Sequence, residues 1–115
     1  MKHKTIVIFN KIINYANETI QFAEGNSFEN FTNDRKTIAA CVFNISQIGE
    51  LVKVLDKDVF QKHNNIYWVG IKGLRNRIVH DYEGIDLDFI WEVIKEDLPK
   101  LIEDLEEILN NLESL

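Results

Sequence analysis

Cysteine, proline and glycine are scarce in this 115-residue chain, and each scarcity removes a class of structure. Cys41 is the only cysteine, so an intramolecular disulfide is impossible and a reducing cytosol is the simplest compartment. With one thiol and the scattered histidines His3 and His63, no zinc site is expected. Pro99 is the only proline and there are five glycines, which leaves few strand-and-turn signals and points to helices. Long apolar runs are missing too. The run from Ile6 to Phe9 behind the basic start stops at Asn10-Lys11, too short for a secretory leader, and no later run would span a bilayer. A cytoplasmic protein with no membrane partner is the expectation.

Apolar residues make up 45% of the chain, enough for one core, so a single helical domain over residues 1–115 is expected. The net charge is −6, unevenly spread. Residues 1–80 carry 11 Lys/Arg against 7 Asp/Glu, whereas residues 81–115 carry 2 against 12. An acidic total argues against broad, sequence-blind coating of nucleic acid, which needs many phosphate contacts. It leaves room for a local basic site, which Lys72, Arg75 and Arg77 supply. The acidic end reads as a solvated helix face, or as a patch for a basic partner protein.

Apolar periodicity lays out the helices. Phe9, Ile12, Ile13, Ala16, Ile20 and Ala23 recur at three- and four-residue steps, predicting a helix over 4–24 that Gly25-Asn26-Ser27 ends. Residues 28–32 read as a loop or short turn whose two phenylalanines fold back on the core. A second helix is predicted over 34–55, with Asn33 as its N-cap and Gly49 marking a close helix contact. One turn is expected over 57–63. Asn64-Asn65 is placed to cap a third long helix over 66–80, which Glu83-Gly84 breaks. Asp86 is placed to cap a helix over 87–97, and Pro99 fits the first turn of a last helix or a kink in one long helix. The sum is an all-α, compact bundle of four to five mostly antiparallel helices.

The chemistry concentrates in Arg75-Asn76-Arg77-Ile78-Val79-His80-Asp81-Tyr82. Arginine only donates and stays cationic, so it suits a phosphate or a developing oxyanion. Histidine can take or give a proton near neutrality, with a reference pKa of ~6.5. At ~100° per residue, Tyr67, Ile71, Leu74 and Ile78 fall on one side of the third helix, and Val69, Gly73, Asn76, Arg77 and His80 on the other. His80 is therefore expected to point away from the monomer core, and Gly73 to leave room for another backbone or a substrate. Arg75 lies about 140° from His80 around the axis, so one chain alone makes an awkward active site. A two-fold dimer would bring both residues from both chains to one cleft. The competing reading of Arg75 and Arg77 is that they neutralise carboxylates or helix-end carbonyls. Glu50 is placed either to hold Arg75 or His80 or to stand free in solvent. Trp68 and Trp91 read as core or interface residues.

The string Arg75-Asn76-Arg77-x-x-His80-x-Tyr82 resembles the Arg-x4-His motif, extended to His-x-Tyr, of HepT-like toxins in the HEPN superfamily. The resemblance continues through Gly84-Ile85-Asp86, Ile90-Trp91 and Asp97-Leu98-Pro99. Upstream, Asn44 and Ile48-Gly49-Glu50 occupy the place of that family's helix-two motif. Residues 34 to 105 are covered; the proline that many relatives carry before the motif helix is replaced by His63-Asn64-Asn65-Ile66. The resemblance implies a helical homodimer with both motifs at one composite cleft, metal-independent RNase activity without a cofactor, and a cognate minimal nucleotidyltransferase as antitoxin. Carried over by position, Arg75 and His80 are the catalytic pair and Asn76 a polar assistant. Lys72 and Arg77 would contribute to substrate binding, and Tyr82 is the residue such an antitoxin adenylylates. Some HEPN proteins are instead nucleotide-binding or scaffolding modules, so a catalytically silent partner of a nucleotidyltransferase is the alternative.

The side chains support attack of an RNA 2′-hydroxyl on the adjacent phosphorus. His80 would move the proton and Arg75 would bind the non-bridging oxygens.

Overall fold

The apolar stripe near the amino terminus forms the first helix, α1 (His3–Ala23), and buries Ile8, Phe9, Ile12, Ile13, Ala16 and Ala23. Gly25, at φ +83°, ends it in the left-handed conformation that glycine adopts without steric cost. The computed structural model describes residues 1–80 and 86–113; of Val79, His80 and Glu113 only the backbone is described. After α1 come α2 (Phe28–Thr32), α3 (Arg35–Lys53), α4 (Lys57–Lys62), α5 (Trp68–Lys72), α6 (Leu74–His80) and α7 (Leu87–Glu92). A π-helical turn over Val93–Asp97 then leads into α8 (Leu98–Glu113). No strand occurs among the described residues, which form an all-α bundle. No described helix is long and apolar enough to cross a membrane.

α1 and α3 form the antiparallel centre. Lys2 and Lys4 at the start of α1 pair with Asp56, just beyond the end of α3, at 3.2 and 3.7 Å. Near the other end, the Cys41 thiol lies 3.8 Å from the Thr19 carbonyl. Ile45, Ile48 and Val52 of α3 are fully buried, as the periodicity predicts. Asn44 is buried in the same stripe, and its amide donates to Glu18 at 2.8 Å, which offsets the cost of burying a polar group.

Several boundaries differ from the sequence reading for identifiable reasons. Asp34, not Asn33, caps α3: its carboxylate accepts from the Thr37 amide and hydroxyl at 3.1 and 2.6 Å. Residues 28–32 form a helix, capped by Ser27, that carries Phe31 into the core against Trp91. The predicted third helix over 66–80 starts later and breaks in two at Gly73, a poor helix former. Tyr67, not an asparagine, takes the N-cap position of α5, without a side-chain cap. Asp86 does cap α7, accepting from the Phe89 amide at 3.1 Å. Pro99 lies inside one continuous helical path from 87 to 113. Its ring crowds the carbonyl four residues back, and the π turn just before it opens the helix, the Leu98 amide bonding to Val93 five residues earlier. The expected break at Glu83-Gly84 lies outside the described residues.

Gly49 is the closest point between α3 and the α5–α6 pair. A Cβ there would lie 3.3 Å from the Ile71 carbonyl oxygen, 3.4 Å from the Arg75 nitrogen and 3.5 Å from the Arg75 Cβ. Backbone cannot swing aside as a flexible side chain can, so added volume must push the helices apart. Gly49→Val is expected to cost about 1–3 kcal/mol of stability in urea unfolding, in the range of core overpacking. An unchanged midpoint would show that the helices do not meet this closely.

Candidate active site

Aromatic packing anchors the start of α5. Trp68 stacks on Phe9 with ring centroids 6.3 Å apart, packs against Phe60 at 5.5 Å, and donates its indole N–H to the His63 carbonyl at 2.9 Å. The tryptophan is core, as expected. The His63 ring sits edge-on to Phe9, and its Nε2 is buried without a hydrogen-bond partner among the described residues. Burial first, then the Lys62 charge, holds its pKa below the usual histidine value. Leu74 and Ile78 turn α6 onto the core, leaving Arg75, Asn76 and Arg77 exposed. Tyr67 and Val69 are each 76% exposed. For Val69 the helical prediction holds. Tyr67 was expected on the core face, but it precedes the first turn of α5, so the helical wheel does not govern its direction, and its ring covers Gly70.

Arg75 forms an ion pair with Glu50 across the Gly49 contact, Nε to Oε1 at 3.2 Å. The same carboxylate oxygen takes the Lys53 ammonium at 3.1 Å. Glu50 thus faces the motif helix and aims the arginine while sharing its single charge with Lys53, and the arginine's terminal nitrogens are unpaired among the described residues. Arg77 lies over the Phe89 ring, its Cζ 3.5 Å from the centroid, a cation–π contact that ties α6 to α7. No feature of the sequence reading had pointed to that pairing. Lys72 and Asn76 make no side-chain contact of this kind among the described residues. His80 closes α6, and helix geometry sets it about 140° from Arg75 around the axis. Its side chain and all of Tyr82 lie outside the described residues.

Beside α5 and α6 runs a groove of about 760 Å³, whose lining includes Tyr67, Val69, Gly73 and Arg77 on one wall and Phe89, Leu98 and Leu101 on the other. The outer face predicted for Val69, Gly73 and Arg77 is therefore a concave surface. Asp97 sits at its edge with its carboxyl pKa raised, chiefly by burial and then by the neighbouring charges of Glu92 and Glu96. Among the described residues, no three His, Cys, Asp or Glu side chains cluster closely enough to hold a metal ion.

The arrangement offers an exposed arginine on α6, a second arginine at a groove, and an imidazole-bearing residue about 1.4 turns from the first. The sequence profile of the HepT-like ribonuclease family matches residues 12–108. A Methanocaldococcus jannaschii protein provisionally named an RNase is 32% identical across 89% of this chain and 84% of its own length. A similarly named protein of Caldanaerobacter subterraneus is 38% identical across 78% of this chain and 80% of its own. A Thermococcus cleftensis protein, provisionally named ribonuclease HepT, is 33% identical across 70% and 74%. No solved structure matches. The chain belongs to the HepT-like ribonuclease family of the HEPN superfamily.

Both partners of the Arg75–Glu50 pair are close to half exposed, which screens their attraction. Glu50→Gln is therefore expected to change unfolding stability by less than about 1 kcal/mol, while freeing Arg75 from its fixed direction and lowering RNA cleavage. A large loss of stability would make the pair a structural element instead.

Proposed function

We propose that this RNA endonuclease cuts single-stranded RNA without a metal, using Arg75 and His80 from both chains of a homodimer at one composite cleft. The observation that carries the reading is Arg75, held by Glu50 at an exposed position with guanidinium donors to spare, on the same short helix as His80. The 2′-hydroxyl attacks the adjacent phosphorus, forming the new P–O bond as the bond to the 5′-oxygen breaks. An imidazole removes the hydroxyl proton or protonates the leaving oxygen, and Arg75 binds the non-bridging oxygens as their charge grows. Asn76 assists by hydrogen bonding, and Lys72 and Arg77 meet neighbouring phosphates. Arg77 brings its charge to the groove with its guanidinium face already on Phe89.

Geometry supports the dimer. Arg75 and His80 diverge around α6, so two copies supply the pair that one helix does not. The exposed Val69 and the Gly73 break lie on the face such a partner would cover. In this reading the protein is the toxin of a type II toxin–antitoxin system, and a minimal nucleotidyltransferase neutralises it by adenylylating Tyr82. Added phosphate would bring negative charge to the rim of a cleft that must admit a polyanion, and would pair with the cations RNA needs. A silent module that only docks such a partner is favoured by one observation, the engagement of Arg75 by Glu50.

Cleavage is expected to persist in EDTA and to leave 2′,3′-cyclic or 3′-phosphate ends, with DNA uncut because it lacks the nucleophile. His80→Ala should lower the rate by ~10²–10⁴-fold, the usual worth of general acid–base help, and Arg75→Ala should silence it with the fold retained. Products ending in a 3′-hydroxyl would overturn the mechanism; full activity in both variants would move catalysis to other residues, and no cleavage by the unmodified protein would leave the docking module.

Incubation with ATP and a nucleotidyltransferase encoded beside this chain should add AMP to Tyr82 and suppress cleavage. Intact-mass analysis should show the gain vanish in Tyr82→Phe, which still cuts RNA. Modification elsewhere, or undiminished cleavage by the modified protein, would exclude this control.

A further inference from the structure

Behind its buried stripe, α1 carries a second one on the opposite flank. Val7, Lys11, Asn14 or Tyr15, Glu18 and Phe22 recur at three- and four-residue steps. Val7 and Phe22 are large apolar side chains left 37% and 39% exposed. Lys11 has no ion-pair partner among the described residues, and Glu18 gives only one oxygen, Oε1, to Asn44. A cleft of about 430 Å³ follows the stripe between α1 and α3, with Gln47 and Leu51 on its far wall. Around α3 those two residues lie about 160° from Gly49, so this surface is remote from Arg75.

The stripe is its own complement when reversed. From the midpoint between Asn14 and Tyr15, Lys11 and Glu18 lie equally far on either side, and so do Val7 and Phe22. We propose that α1 pairs antiparallel with α1 of a second copy, about a two-fold axis at that midpoint. Lys11 of each copy then meets Glu18 of the other, and Val7 meets Phe22, in an isologous contact in which every group finds its counterpart twice. The polar pair at the centre sets the register, and each Tyr15 ring has the neighbouring cleft to fill. This interface is separate from the composite cleft, and the two together assemble the protein as a dimer of dimers.

Cysteine scanning tests the axis directly. Cys41 does not interfere, because it is fully buried and its thiol pKa is pushed up to about 11. Mild oxidation should link most Asn14→Cys chains into covalent dimers, while Asn17→Cys, turned about 60° round the helix and about 7.5 Å from its counterpart along the axis, links few. Charge gives an independent test. Lys11→Glu and Glu18→Lys should each weaken self-association by about tenfold or more, because like charges then face each other. Mixing the two variants should restore association, since opposite charges then meet at both ends. Equal linking at 14 and 17, or no rescue on mixing, overturns the proposal. The composite cleft fails differently: chains that link at 14 yet do not cut RNA count against that cleft, whereas chains that cut RNA but do not link at 14 count against this interface.

Discussion

The close approach at Gly49 decides where Arg75 lies. Because α3 has no side chain at that point, the backbone of α5 and α6 comes within 3.3–3.4 Å of where a Cβ would be. The next residue of α3, Glu50, is thereby brought to 3.2 Å from Arg75. A larger residue would displace the helix and the ion pair together. Trp68, stacked on Phe9 and bonded to the His63 carbonyl, holds the other end of the segment, so the motif is fixed at two points.

Long-range order was legible in the sequence wherever one helix face is uniformly apolar. The stripes of α1 and α3, the close contact at Gly49 and the Asp86 cap could be read there because each depends on residues within a turn or two. What escaped depends on partners distant in the chain. Asn44 looks like an interruption of the α3 stripe until Glu18 is seen across the helix pair. Arg77 reads as a free cation until Phe89 is placed beneath it. Pro99 was compatible with a start or a kink, and the π turn before it keeps the helical path continuous. The choice of Asp34 over Asn33 shows the usual limit: two good caps stand side by side, and the Thr37 hydroxyl favours the later one.

At the proposed site, the sequence placed Val69, Gly73 and Arg77 on one outer face but did not reveal the interruption of the helix. Gly73 splits the helix and, with the exposed Tyr67 and Val69, turns the outer face into a groove rather than a smooth cylinder. That groove is lined by apolar side chains together with charged ones, among them Arg77, Asp97 and Lys100. Family membership gives the reaction class, and the exposed arginines on α6 give it a physical basis. In the proposed reaction phosphate shares or replaces at Arg75 the carboxylate of Glu50, which also holds Lys53. Such an exchange costs little at an exposed pair and favours a polyanion that brings several charges at once.

The central claim is that Arg75 and His80 act across two chains, and subunit mixing tests it most directly. Arg75→Ala and His80→Ala chains, each inactive alone, are unfolded together, refolded and assayed for RNA cleavage. A composite cleft predicts that mixed dimers regain activity, because one chain supplies the arginine and the other the histidine. Mixed dimers demonstrated by mass that remain as inactive as either parent would contradict it.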